Sequence, residues 1–215
     1  MASVQDFDEL HRLEEFEIGN IYTWFEPMSL SEDEKRKRAR AAYEIKMPIA
    51  LAVAALLREF LSGRKGTGLA ASTNRLSAQL VKIMGRVVPI NSYLSDIIKD
   101  FCNAYMGNTV EMMDTATTTY YMSDSRAERA ACNLVNQVFN YAEYLDAIDN
   151  GHSHKRWKTM EDERVRPTHN EVHGEIIPIG EYFAVGDSLL LFPGDLSMAP
   201  DMNEIINCRC TLEYL

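Results

Sequence analysis

Residues 125–151, SRAERAACNLVNQVFNYAEYLDAIDNG, decide how the chain is read. Cys132, Val135, Phe139, Ala142 and Leu145 recur at steps of three and four, which gathers them into one apolar stripe on a backbone with 3.6 residues per turn. Asn150-Gly151 then supplies a stop, since glycine takes the left-handed conformation that ends a helix without strain. Past this point the texture changes. Short alternating or apolar runs at 176–179, 182–185, 189–192 and 205–212 are separated by turn residues at Gly180, Gly186-Asp187 and Pro193-Gly194-Asp195. A helical N-terminal two-thirds followed by a small β-rich module predicts the α+β class.

Upstream, Leu94, Ile97, Ile98, Phe101 and Cys102 share one face of a helix over 93–105, and 74–84 carries similar spacing. The stretch 110–121 is ambiguous, because its threonines and paired tyrosines lower helix propensity while Met112 and Met113 raise it. Ser31-Glu32-Asp33-Glu34 fits a capping box, with three acids at the positive end of the helix dipole. That helix is expected to reach Leu61 and stop at Gly63, with Pro48 kinking or dividing it. The glycines of 63–68 lack both a following Gly-Lys-Ser/Thr and a preceding strand, so the segment is a linker and not a phosphate loop. Residues 1–30 show no clear period and mix acids with Phe7, Phe16, Tyr22, Trp24 and Phe25, which reads as an extended arm packed on a partner or on the chain's own core. The expected division is an arm at 1–30, a helical region at 31–122, and a C-terminal domain of helix plus β module at 123–215.

The chain has 215 residues, 46% of them hydrophobic, and a formal charge of −10. This suffices for a buried core and excludes nucleic-acid coating as the main task, which requires clustered cations. Lys35, Arg36, Lys37, Arg38 and Arg40 form the main basic run. It is read either as a contact with DNA phosphate or an acidic partner, or as an internally paired helix start. Glu32/Arg36, Asp33/Lys37 and Glu34/Arg38 stand four apart with the acid first, the favoured order, and the paired start is preferred. The longest apolar run, 47–57, is far shorter than the roughly 20 residues of a membrane span. Residues 1–16 are acidic and lack an export signal. Synthesis in a cytoplasm is therefore expected, with Cys102, Cys132, Cys208 and Cys210 as thiols or metal ligands.

Within the β module the chemically distinctive residues follow an order. Trp157 precedes Asp162, Arg164, Arg166, His169 and His173-Gly174; then come Phe183, Pro193-Gly194-Asp195 and Asn207-Cys208-Arg209-Cys210. In this order the sequence resembles the phage Mu F-like minor head protein family, also called the phage head morphogenesis family. The helix 125–148 resembles the family's lead-in helix, so the resemblance covers roughly the last ninety residues. It implies a minor capsid protein of a tailed bacteriophage, held in several copies inside the head near the portal and aiding head assembly or DNA delivery. Portal and capsid proteins are the implied partners, with packaged DNA within reach, and the fold has been likened to the ADP-ribosyltransferases. One departure stands out. Where the family's lead-in helix commonly carries Thr-Glu, this chain has Asn136-Gln137, an amide in place of a carboxylate.

Two readings of the His and Cys residues stand side by side. His169, His173, Cys208 and Cys210 supply the donors of a closed, structural Cys₂His₂ zinc site, although C-x-C is tighter than the usual C-x-x-C. Alternatively Ile206, Cys208, Cys210 and Leu212 are one face of a half-buried strand, with the histidines bonded within a turn. A disulfide across two residues would be strained. Asp162, Arg164 and Arg166 alternate and would share a strand face, either fixing a turn by ion pairing or binding an anion on a partner. Trp157 reads as a core or interface anchor.

No nucleophile elbow, Walker loop or His-Glu-x-x-His helix is found. An ADP-ribosyltransferase needs an early arginine, which Arg164 or Arg166 supplies, then a Ser-Thr-Ser strand and a late Glu-x-Glu. The last two are missing: the late acids are Asp201, Glu204 and Glu213. Fold likeness alone supplies no chemistry. The expectation is a structural protein without turnover, and the alternative is an ADP-ribosyltransferase-like effector carried in the head.

Overall fold

The computed structural model describes residues 4–114 and 118–215; the Phe7 side chain and residues 115–117 of the ambiguous stretch lie outside the described residues. In chain order the elements are α1 (Val4–Phe25), α2 (Glu32–Leu61), α3 (Leu69–Met84), α4 (Ser92–Glu111), a 3₁₀ turn (Met112–Asp114), α5 (Thr118–Tyr121), α6 (Asp124–Asp149), β1 (His154–Lys158), α7 (Pro167–Glu171), β2 (Ile176–Pro178), β3 (Phe183–Val185), β4 (Ser188–Leu190), α8 (Met202–Ile205) and β5 (Thr211–Tyr214). The fold is α+β, as the change of texture after Gly151 predicts.

The N-terminal segment corrects the expectation of an extended arm. It is the helix α1, and Ile21 and Phe25 are buried with Ile18 and Tyr22 packed beside them. These four positions follow the three-and-four step within a short window, too brief to stand out among the surrounding acids. The capping box of α2 forms as the spacing requires: the Ser31 hydroxyl accepts from the Glu34 N–H at 3.3 Å, and the Glu34 carboxylate accepts from the Ser31 N–H at 3.1 Å. Pro48 does not divide α2. Ile45, Ile49, Val53 and Leu56 are buried on both sides of it, and this packing outweighs the backbone bond that proline removes.

The helices share one hydrophobic core, and the β module builds a second around Trp157, Phe183, Val185, Leu190 and Phe192. Helix α6 serves both. Ala131, Leu134, Val135 and Val138 enter the helical core, while Tyr144 enters the module's core. In the module a three-stranded antiparallel sheet runs in the order β2-β1-β5, and β3-β4 form a separate hairpin. Its central strand β1 reads as polar, yet Lys155 and Trp157 both point inward.

Two strand readings need correction. Over 205–212, α8 ends at Ile205, Asn207 adopts φ +60°, and pairing begins only at Thr211, so Cys208 and Cys210 lie in a loop. Ile206 is 50% exposed while Cys208, Cys210 and Leu212 are buried, so the four are not one strand face. Asp162 and Arg164 lie in a turn ahead of α7 and Arg166 caps that helix, so they do not alternate on a strand.

Candidate functional site

The loop 206–210 gathers most of the module's distinctive residues. Pro167 opens α7 with its preset φ, and the single turn that follows carries His169 inward. The left-handed turn at Asn207 brings Cys208 and Cys210 against it from the other side. His169 Nδ1 lies 3.3 Å from Cys210 Sγ and 3.7 Å from Cys208 Sγ. The ring's other nitrogen, Nε2, is 2.9 Å from Glu204 Oε2, which also accepts from the Thr168 hydroxyl at 2.8 Å. His169, Cys208 and Cys210 are 2%, 6% and 4% exposed, and their ligand atoms all fall within 4.8 Å of one another. Trp157 packs edge-on against His169 with ring centroids 5.8 Å apart.

This crowding shifts the protons. A hydrogen bond from the Cys210 thiol outweighs burial and, with the His169 ring, holds the Cys208 thiol well below its ordinary range. Cys210 is pushed well above that range by the bond it gives to Cys208 and by burial. Burial opposes a charged His169, but the Cys208 sulfur and then Glu204 overcome it, and the imidazole is held above its usual value.

His173 does not join the cluster. Its Nδ1 accepts from the Thr159 N–H at 3.1 Å and contacts the Thr159 hydroxyl at 2.7 Å, while Nε2 is 3.7 Å from Glu161. This corrects the four-ligand expectation: Nδ1 accepts from a backbone N–H, Nε2 faces Glu161, and neither joins the ligand atoms of His169, Cys208 and Cys210. The other distinctive residues shape the loop. Arg209 donates to Asp162 at 2.7 Å, Arg166 donates to the Ile206 carbonyl, and Asn207 Oδ1 accepts from Asn133 of α6 at 3.1 Å. The Arg164 side chain is exposed, and its backbone N–H closes the turn on Asp162 at 3.1 Å.

The loop is also held from below by a polar seam that the sequence reading missed. Asn136 Nδ2 donates to the carbonyls of Cys208 and Cys210 at 3.2 and 3.3 Å. Asn140 Nδ2 donates to those of Cys210 and Pro193 at 3.1 and 2.9 Å, and Gln137 Nε2 to that of Gly194 at 2.5 Å. Arg38 lies beneath, donating to Asn136 Oδ1, to Asn140 Oδ1 at 3.2 Å and to Glu143 Oε1 at 2.5 Å. The available signal was the polar set Asn136, Asn140 and Glu143, which recurs at helical steps beside the apolar stripe of α6.

A family model described as phage Mu protein F like protein matches residues 95–213, more than half of the chain. The chain belongs to the phage Mu F-like family. No curated protein and no solved structure matches it. The match starts inside α4, ahead of the lead-in helix α6, so the Mu F-like part includes helices that pack in the first core as well as the module. The family is one of phage head morphogenesis, which places this Mu F-like chain among head proteins and implies assembly with other phage structural proteins. At Asn136-Gln137 the amides supply N–H donors that a carboxylate lacks.

The basic run divides in two. Arg38 is buried in the seam, which corrects its reading as a surface contact and breaks the expected Glu34/Arg38 pair. Lys35 pairs with Glu32 at 3.1 Å, Arg40 with Glu15 at 3.4 Å, and Lys37 lies 5.3 Å from the Phe139 ring centre. Among the described residues, no helix is long and apolar enough to cross a membrane.

Proposed function

We propose that the chain is a minor capsid protein of a tailed phage, bound inside the head close to the portal, where it aids head assembly or DNA delivery without turning over a substrate. The family match over 95–213 carries this reading. The module's polar residues support it, because Asp162, Arg166 and Asn207 are engaged within the chain and hold one loop in shape. Partner surface is available on the helices: Met47 and Leu51, one turn apart on α2, are both exposed. Portal and capsid subunits are the partners.

The test is made on phage particles. Particles from a phage lacking the gene should assemble poorly or lose infectivity, and the protein should co-purify with portal and capsid and localise inside the head. Normal yield and infectivity without it, with no copy in purified virions, would overturn the reading. NAD⁺ glycohydrolase or ADP-ribosyl transfer by the pure protein would replace it with the effector alternative.

A further inference from the structure

The two sulfurs that converge on one imidazole nitrogen are unexplained by packing. A small apolar core residue has no need to aim at His169 Nδ1, and that nitrogen can share only one proton with two thiols. We propose that His169 Nδ1, Cys208 Sγ and Cys210 Sγ hold one zinc ion, with Glu204 fixing the ring and His173 outside the shell.

The geometry fits zinc closely. Zn–N near 2.05 Å and Zn–S near 2.3 Å at a tetrahedral angle place nitrogen and sulfur about 3.5 Å apart. The two observed separations, 3.3 and 3.7 Å, fall on either side of that value. One imidazole and two thiolates form a borderline-soft set that selects zinc over magnesium or calcium. The neighbouring contacts match as well. With Nδ1 on the metal the ring proton sits on Nε2, where the Glu204 carboxylate accepts it at 2.9 Å, the usual means of orienting a histidine ligand. The Trp157 indole N–H is buried without a hydrogen-bond partner, its ring centroid 5.8 Å from that of His169. A metal-bound thiolate gives that donor an acceptor.

Three protein donors leave one tetrahedral position for solvent, and Cys208 borders a cleft of about 670 Å³ between α4, α6 and the loops near Pro193 and Ile206. The burial of all three donors favours a structural ion. Its mechanical role follows from the loop. The ion grips the side chains of Cys208 and Cys210 from the α7 face while Asn136 and Asn140 grip their carbonyls from α6. Zinc thus fastens the module to the helical body.

Zinc content of the full-length, untagged protein, dialysed first against zinc chloride and then against metal-free buffer, tests this. About one zinc per chain is expected for the parent and for His173→Ala, and at least about tenfold less for the Cys208→Ser/Cys210→Ser double variant. Glu204→Gln should weaken zinc binding by about 10- to 100-fold. Because the double variant can fail to fold, the parent is also loaded with cobalt, where thiolate-to-cobalt charge transfer together with tetrahedral d–d bands reports the same ligands. A parent without zinc, a cobalt spectrum lacking thiolate bands, or His173→Ala losing as much zinc as the double cysteine variant would each overturn the assignment. None of these outcomes depends on where the protein sits in a particle.

Discussion

Arg38 donates to Asn140 Oδ1 at 3.2 Å, and Asn140 Nδ2 donates onward to the Pro193 and Cys210 carbonyls at 2.9 and 3.1 Å. Arginine has donors and no acceptor, so it turns the oxygen of each seam amide toward itself and leaves the nitrogen to face the module. A guanidinium of α2 thereby sets the hydrogen-bonding sense of a contact made by α6. Helical body and module are joined by polar groups in a place where packing alone would leave their relative setting loose.

Removing the guanidinium should therefore cost more than a lost surface charge. Arg38→Met leaves the partly exposed Glu143 carboxylate and two buried amide oxygens without their cation, which should cost about 2–4 kcal/mol, less than breaking a fully buried pair. Arg38→Lys should recover only part of this, because a single ammonium cannot reach three acceptors in the fork geometry. Urea unfolding checks both variants. A loss below about 1 kcal/mol for Arg38→Met would mean that solvent replaces the guanidinium.

A carboxylate should be harmful at Gln137. The amide N–H donates to the Gly194 carbonyl at 2.5 Å, and Gln137→Glu sets oxygen against oxygen there. The expected cost is about 1–3 kcal/mol, seen as a lower thermal midpoint. Gly194→Ala should destabilise as well. Its φ is +95°, and an added Cβ would lie 3.0 Å from Gln137 Cγ. A Gln137→Glu protein as stable as the parent would show that the carboxylate finds a cation not apparent in the seam.

Lys155 gives a prediction in pH. Its ammonium donates to the Leu191 carbonyl at 2.7 Å, but the side chain is buried under the rings of Tyr144 and Phe183, and burial lowers its pKa from the usual 10.5 to about 8. Between pH 8 and 10.5 the unfolded chain holds the proton that the folded chain has released. Stability from this group therefore rises with pH across that window, by up to about 3 kcal/mol. Below pH 8 both states are protonated and the cost of burying the charge is borne in full. The stability of Lys155→Met relative to the parent should thus be greatest near pH 7 and shrink toward pH 10. A difference that stays flat across this range would show that the ammonium is solvated.

These residues also show what the sequence made legible. The cap at Ser31 and the stripe of α6 are local patterns, and each forms as spacing requires. Arg38 was misplaced because its partners, Asn136 and Asn140, lie 98 and 102 residues away, and a run of cations looks solvated from within. Strand β1 was missed because Lys155 sits at an inward position, where hydropathy counts it as outward. The alternation Ile206, Cys208, Cys210, Leu212 imitates a strand, but Asn207 turns left-handed and the amides of α6 take the carbonyls a neighbouring strand would use. Three of the four expected metal donors do converge; His173 follows the turn at Thr159 instead, a choice set by a backbone N–H that spacing does not reveal.

The basic run yields the last prediction, which concerns DNA. Of its five cations Arg38 is inside the fold, while Lys35 and Arg40 face Glu32 and Glu15. Arg36 and Lys37 remain exposed at the start of a helix whose first turn holds Glu32, Asp33 and Glu34, on a chain of net charge −10. Two such cations release few counterions, and affinity for duplex DNA scales steeply with the number of phosphates neutralised. Retention on immobilised DNA or heparin should therefore be weak near 150 mM salt, about 8 Å of Debye length, and the double variant Arg36→Ala/Lys37→Ala should elute with the parent. Strong retention that drops steeply with salt and is lost in the double variant would instead give this helix start a direct role against packaged DNA.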